Sequence, residues 1–178
     1  MKTKLATITL FVAALLAAMA LGGSFYEALV VYPAWSASPP ASLALLQGPN
    51  AIDSTRFWLL VHVAFEIALV GALALNWRAP RRLPLLLTGL ATHIVMRAWT
   101  FMYFVPEITA FMAIPLEGPF SPELAARASL WGTLGWIRRA LIAATGVLVL
   151  LVLITPAGER DPAAARGPRR AQEPAVSG

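Results

Sequence analysis

The chain has 178 residues, of which 58% are hydrophobic and only 13% are charged, and its mean hydropathy is +0.70. Soluble domains carry about 25% charged residues, so this composition indicates a membrane protein of one domain. The absence of cysteine excludes disulfides, thiolate catalysis and zinc–thiolate sites. The net charge of +5 does not indicate nucleic-acid binding, because the basic residues lie beside apolar segments, where they orient a membrane protein.

Four apolar segments reach the roughly 20 residues that cross a bilayer as a helix. They lie at about 5–31, 57–77, 83–105 and 130–154. The first follows two lysines and contains small residues at 18–20 (AMA), which could end a cleaved signal peptide. We expect an uncleaved span, because the apolar run continues to Val31 and so exceeds the apolar region of a signal peptide.

Nine of the fourteen basic residues fall on one side of a four-span chain, and that side should be cytoplasmic. They are Lys2, Lys4, Arg78, Arg81, Arg82, Arg160, Arg166, Arg169 and Arg170. Both termini would then be cytoplasmic, and the loops near 32–55 and 106–128 would lie outside. We therefore predict an all-α integral membrane four-helix bundle, multi-pass in the cell membrane, at 1–155, followed by a disordered cytoplasmic tail at 156–178 that is rich in Pro, Ala and Arg.

The fourth helix is predicted to begin ahead of its apolar segment. Ser121 can cap a helix, Pro122 suits the first helical position, and Glu123 is favourable in the first turn. A helix from there to Ile154 would be about 50 Å long. Because this length exceeds one bilayer core, the first turns should project from the membrane or tilt along its surface.

Both histidines lie in apolar segments with a charged residue four positions later, His62 with Glu66 and His93 with Arg97. A spacing of four places both members of a pair on one helix face. Counting about 1.5 Å per residue from the outer ends of spans two and three puts both pairs at overlapping depths in the outer half of the bundle. Ionisable groups are costly in lipid, so they usually face a protein interior or a wet cavity.

Further ionisable groups fall in the same layer, namely Glu27 in span one and Arg138 and Arg139 in span four. Adjacent helical residues point about 100° apart, so we expect one of these arginines to snorkel to the outer interface. Aromatic residues are frequent at the same level. The paired residues His62, Glu66, His93 and Arg97 are the candidate catalytic groups. The residues predicted to contact a hydrophobic small molecule are Tyr26, Glu27, Trp58, Trp99, Tyr103 and Arg138.

Each of these signals also has a purely structural interpretation. Glu66 and Arg97 could form an ion pair that ties spans two and three, and the aromatic residues could be bundle core. No metal is predicted, because Arg97 would place a cation where a further ligand is needed. The sequence has no phosphate loop, nucleophile elbow or dinucleotide fingerprint, and no cofactor is predicted.

The arrangement resembles the anthrone oxygenase-like family of small four-span membrane proteins. The motifs that carry the resemblance are GSFYE at 23–27 with Pro33 after it, RFW at 56–58, NW at 76–77 and FVPE at 104–107. The resemblance covers about residues 5–155 and implies a four-helix bundle. For the better-known members it also implies oxygenation of a polycyclic phenolic anthrone to a quinone with O2 and no evident cofactor. Most relatives have no assigned activity, so the fold carries over better than the reaction.

Three functions are consistent with these observations. The first is a cofactor-independent membrane monooxygenase, in which His62 or His93 removes a proton beside Glu66 and Arg97 stabilises the enolate or superoxide. The second is a non-catalytic subunit or assembly factor whose buried charges fix helix register, with a membrane protein or a second copy as partner. The third is a small transporter, which is less favoured because the charges extend only halfway across the bilayer.

Overall fold

The computed structural model describes residues 2–158, and within that range it is helical without any strand. Four helices in this part of the chain are long and apolar enough to cross a membrane. The all-α class and the prediction of four long apolar helices are therefore confirmed for the described residues. The predicted tail at 156–178 lies, apart from its first three residues, outside the described part.

We label the four long helices in chain order. They are α1 (Lys2–Tyr26, a π-helical turn Glu27–Val31, and Tyr32–Ser36), α2 (Thr55–Asn76), α3 (Leu83–Trp99, a π-helical turn Thr100–Phe104, and Val105–Met112) and α4 (Pro122–Ile154). A 3₁₀ helix, Ala41–Leu46, lies between α1 and α2. We name the end with the 77–82 turn the terminal end, and the end with the loops at 37–54 and 113–121 the loop end.

The helices form a bundle that is closed on three sides. Helix α1 packs along both α2 and α4, and α3 packs along α4. The remaining neighbours, α2 and α3, contact each other much less than these three pairs do. The seam between α2 and α3 is therefore the loosest interface of the bundle.

The terminal half of the bundle has an apolar core. Alanines on α1 allow close approach of the neighbouring helices, as small residues do in membrane bundles, and Leu69 and Val149 fill the space opposite them at 1% exposure each. The buried members are Leu10, Ala13, Ala14, Ala17, Phe65, Ala68, Leu69, Ala72, Leu86, Val149 and Val152.

Arg82 closes the terminal end. Its Nε donates to the Thr155 carbonyl at 2.7 Å and its Nη1 donates to Asn76 Oδ1 at 3.0 Å, while Asn76 Nδ2 donates to the Ala72 carbonyl at 2.8 Å. Thr155 follows α4, so the guanidinium satisfies a carbonyl at the C-terminal end of that helix. Arg82 therefore holds the α2–α3 turn against α4, beyond the orienting role assigned to it from the sequence.

Helices α1 and α3 run several residues farther than predicted, to Ser36 and Met112. In both, a proline (Pro33 or Pro106) falls in the first turn after the π-helical turn. Proline lacks an N–H and clashes with the preceding turn of an α-helix. The wider π-helical turn accommodates it, so each helix continues where the sequence predicted a loop.

The predicted start of α4 is confirmed. The Leu124 N–H donates to Ser121 Oγ at 3.3 Å, and Pro122 occupies the first turn. The helix has 33 residues, which corresponds to about 50 Å at 1.5 Å per residue.

An aromatic cap covers the loop end of the bundle. We define it by its buried residues Trp35, Leu43, Leu46, Phe104, Phe111, Ala128 and Trp131. The Trp35 ring lies 5.3 Å from the Phe111 ring and 5.5 Å from the Trp131 ring. Gln47 fastens the first loop to this cap by donating to the Phe111 and Ile114 carbonyls.

The cap depends on one close approach to α4. The Tyr32 ring lies against Gly132, where an added Cβ would overlap the ring. Tyr32 also stacks on Trp131 at 6.1 Å and donates its hydroxyl proton to the Ala128 carbonyl at 3.2 Å. The last turn of α1 is thereby fixed to α4.

Candidate functional site

The seam between α2 and α3 carries a polar cluster. Arg97 Nε lies 3.0 Å from Glu66 Oε1, and His93 Nε2 lies 3.4 Å from the same oxygen. The Arg97 guanidinium also stacks over the Phe101 ring at 4.5 Å. The ion pair between spans two and three that the sequence suggested is therefore present, with His93 beside it.

A cleft of about 290 Å³ opens at this cluster. Its polar end consists of Glu66, His93 and Arg97. The Glu66 side chain is 40% exposed, whereas that of His93 is 5% exposed, so the carboxylate is reachable from outside and the imidazole is the deep polar group. Its apolar walls are Leu69, Val70, Leu90, Ile94 and Ala98.

A second, much smaller cavity lies behind His93, inside the bundle. Its volume is about 10 Å³, and its lining includes His62, His93, Met96 and Thr145. This volume is close to the minimum that one water molecule requires. Because His93 lines both spaces, its imidazole separates the cleft from the bundle interior.

His62 belongs to a neighbouring polar group between α1 and α2. Its ring lies 6.1 Å from the His93 ring and stacks on Trp58 at 5.4 Å. The Trp58 indole N–H donates to Glu27 Oε1 at 2.6 Å, and Ser54 donates to the same oxygen at 3.0 Å. Glu27 begins the π-helical turn of α1, and such turns are frequent at functional sites.

Arg138 and Arg139 of α4 both remain within the bundle. Arg139 is 3% exposed and donates from Nε to the Ser24 carbonyl at 2.9 Å. Arg138 is half-buried, with its guanidinium 4.2 Å from the Phe104 ring centroid and 5.6 Å from that of Trp131. Neither residue is exposed, and the expectation that one of them snorkels to the outer interface stays a prediction.

Local packing explains why neither arginine is exposed. An added Cβ at Gly135 would come 3.1 Å from Arg139 Nη1, so the glycine leaves room for the guanidinium beside α4. Arg138 gains aromatic faces from α3 and from its own helix, and cation–π contacts favour a desolvated guanidinium. The sequence contains both partners but does not show that they lie within reach.

Three buried side-chain nitrogens have no hydrogen-bond partner among the described residues. They are His62 Nδ1, Arg138 Nε and Arg139 Nη1. The nearby carboxylates are engaged elsewhere, Glu66 at the seam and Glu27 with Trp58. Unpaired buried polar atoms are rare in native proteins and each requires an explanation.

The other predicted ligand contacts lie apart from the cleft. Trp99 and Tyr103 pack edge-on against Phe104 at 5.2 and 5.1 Å, beside the aromatic cap. Tyr26 is 59% exposed on α1. The structure thus brings three of the candidate catalytic residues together at the cleft, with His62 behind His93. It distributes the six candidate contact residues over several places.

Sequence reasoning missed the apolar walls of the cleft. Leu90 and Ile94 precede Arg97 by seven and three positions, and Val70 follows Glu66 by four. These spacings place each wall residue on the same helix face as its charged neighbour. Helical periodicity counted from the charges would therefore have found them.

Within residues 2–158, no three His, Asp or Glu side chains converge as a metal site. No protein-family model, curated protein or solved structure matches this chain. The function therefore has to be argued from the geometry of the site.

Proposed function

We propose that this chain is an integral membrane protein of the cell membrane, with both termini on the cytoplasmic side. Large apolar side chains cover the outside of the helices, and Ile67, Met102 and Ile154 are 69%, 80% and 76% exposed. Such a surface is unfavourable in water and favourable in lipid. Arg78 and Arg81 at the terminal end support the orientation.

We further propose that it is an oxidoreductase that acts on a hydrophobic aromatic or polyketide-like compound in the α2–α3 cleft. The observation that carries this proposal is the cleft itself, whose apolar walls end at Glu66, His93 and Arg97. Its volume is near the lower end of the range for small-molecule sites, about 300–1,000 Å³. Its place at the loosest seam of the bundle favours entry from the bilayer.

The reaction implied by the resemblance is oxygenation of an activated methylene group to a ketone. The methylene carbon loses two hydrogens and gains one oxygen atom of O2, and the other oxygen atom leaves as water. His93 removes the first proton as general base. Glu66 lies against Nε2, so the tautomer protonated there leaves Nδ1 basic, and the carboxylate stabilises the imidazolium that forms.

Arg97 completes the arrangement. Its guanidinium stabilises the negative charge that develops on the enolate oxygen or on reduced O2. The ion pair with Glu66 and the Phe101 ring hold it in place. The substrate carbanion reduces O2 directly, so the reaction requires only these side chains.

The test is turnover of a hydroxylated anthrone in proteoliposomes, followed as O2 consumption and quinone absorbance. His93→Ala and Glu66→Gln should each lower the rate by about 10²–10⁴-fold, the usual contribution of general acid–base catalysis. The matched control is Glu107→Gln, which removes a carboxylate from the Arg127 ion pair outside the cleft and should leave the rate unchanged. Undiminished turnover by the first two variants would eliminate the mechanism.

A non-catalytic role as a membrane subunit is the second candidate function. It is favoured because the residues predicted to contact a ligand pack against other side chains instead. Trp58 donates a hydrogen bond to Glu27, and both Trp99 and Tyr103 pack on Phe104. If the charges only fix helix register, the double exchange Glu66→Arg with Arg97→Glu should preserve function and a stable partner should co-purify. A solitary monomer in mild detergent would contradict this role.

A further inference from the structure

The loop half of the bundle contains more buried positive charge than negative charge. Glu66 is paired with Arg97, so Glu27 is the one carboxylate of this layer that remains to balance both Arg138 and Arg139. Within the described part of the chain, neither arginine has a carboxylate oxygen within 4.0 Å. One positive charge in the layer is therefore uncompensated.

Among the described residues, this layer also contains buried hydrogen-bond donors that lack an acceptor. Arg138 Nε and Arg139 Nη1 are buried without a partner in residues 2–158. Glu27 Oε1 already accepts from Trp58 and Ser54. Guanidinium nitrogens only donate, so the missing partners are acceptors, and the excess positive charge selects acceptors that are anionic.

We propose that the loop half of this bundle binds an oxyanion, a phosphate or carboxylate group, at Arg138. The planar guanidinium suits such a group because it can donate two parallel hydrogen bonds to it. The guanidinium carbon lies 4.2 Å from the Phe104 ring centroid and 5.6 Å from that of Trp131, and Nε makes no hydrogen bond to the described residues. This site is independent of the reaction proposed for the cleft.

His62 lies in the same layer on α2. Its imidazole is 8% exposed, and its Nδ1 has no hydrogen-bond partner among the described residues. A bound oxyanion would bring negative charge into this layer. A neutral ligand would provide an acceptor but would leave the charge uncompensated.

The oxyanion can come from two sources, the headgroup of an acidic lipid or a soluble anion. Purified wild-type protein in neutral detergent distinguishes them by thermal unfolding, followed by tryptophan fluorescence. A ligand that binds only the folded state raises Tm in proportion to the logarithm of its concentration. Phosphatidylglycerol is compared with phosphatidylcholine, and inorganic phosphate with chloride at equal ionic strength.

A rise in Tm with phosphatidylglycerol but not with inorganic phosphate supports an acidic lipid. A rise with inorganic phosphate that follows the logarithm of its concentration supports a soluble anion. In either case the selective rise should disappear in Arg138→Gln and persist in Arg56→Gln, which removes an exposed arginine from the start of α2. No selective rise with either ligand, or a rise that survives Arg138→Gln, would overturn the proposal.

A conservative substitution provides a second test. If Arg138→Gln cannot be recovered, Arg138→Lys provides the test. It keeps the positive charge but loses the planar pair of donors, so it should bind the anion more weakly than wild type does. Unchanged binding would then contradict the proposal.

Discussion

The terminal and loop halves of the bundle each contain an arginine among the helices, but the two arginines differ in their hydrogen bonds. At the terminal end, Arg82 donates to the Asn76 amide oxygen and to the carbonyl that follows α4. At the loop end, Arg138 makes no hydrogen bond to the described residues and rests on aromatic faces. An arginine therefore acts as a structural clamp in the terminal half, whereas an arginine in the loop half has donors that are free to bind a ligand.

This difference suggests that the terminal half stabilises the fold and that the loop half carries the functional sites. The terminal half combines an apolar core with satisfied polar groups, whereas all three unpaired buried nitrogens and both cavities lie nearer the loop end or at mid-bundle. Buried polar groups without partners cost free energy. Functional sites tolerate that cost because a ligand or transition state provides the missing partner.

The largest effect is expected at the terminal clamp. Arg82→Ala leaves the Asn76 oxygen and the Thr155 carbonyl without their donor, and it should lower the free energy of unfolding by about 2–4 kcal/mol. Unfolding in mixed micelles with SDS, followed by tryptophan fluorescence, measures this change. Arg78→Ala, in the same turn but exposed, should change it by less than about 0.5 kcal/mol. Equal effects of the two substitutions would remove the contrast between the halves.

A smaller effect is expected where the aromatic cap meets α4. Gly132→Ala forces the Tyr32 ring to move and should cost about 1–3 kcal/mol by overpacking. Gly22→Ala is the control, because an added Cβ there meets no atom within 4 Å. Adding Tyr32→Ala to Gly132→Ala should relieve the overlap, which a double-mutant cycle detects as a non-additive term. Strict additivity would show that the cap does not depend on this contact.

The smallest effect concerns the first loop. Hydrogen bonds from Thr55 lower the pKa of the Asp53 carboxyl. A lowered folded-state pKa contributes stability above the unfolded-state pKa, about 3.9, and this contribution is lost as pH falls through the lower folded-state value. The difference in Tm between wild type and Asp53→Asn should therefore be present at pH 6 and shrink below about pH 4. A difference that does not vary with pH would show that the carboxylate charge is not involved.

Local features of the fold were predictable from the sequence. The four helices follow from the length and apolarity of their segments, and the start of α4 follows from Ser121 and Pro122, because capping involves only neighbouring residues. The π-helical turns were not predictable in this way. Proline normally predicts an end to a helix, and only packing at the loop end decides that α1 and α3 continue.

The candidate site was predictable in part for the same reason. A spacing of four placed His62 with Glu66 and His93 with Arg97, and counting along two helices placed both pairs at one depth, where Glu66 and Arg97 meet at 3.0 Å. Helical periodicity is a property of the chain alone. The sequence by itself thus determined four apolar helices and one polar layer.

Only the tertiary structure decided which helices pack tightly and which leave a cleft. It decided that α2 and α3 are loosely joined, that Arg82 reaches the end of α4, and that Arg139 is buried. Each outcome depends on the distance and orientation between segments far apart in the chain. A one-dimensional pattern shows which face of a helix a residue occupies, but it does not show which helix lies opposite.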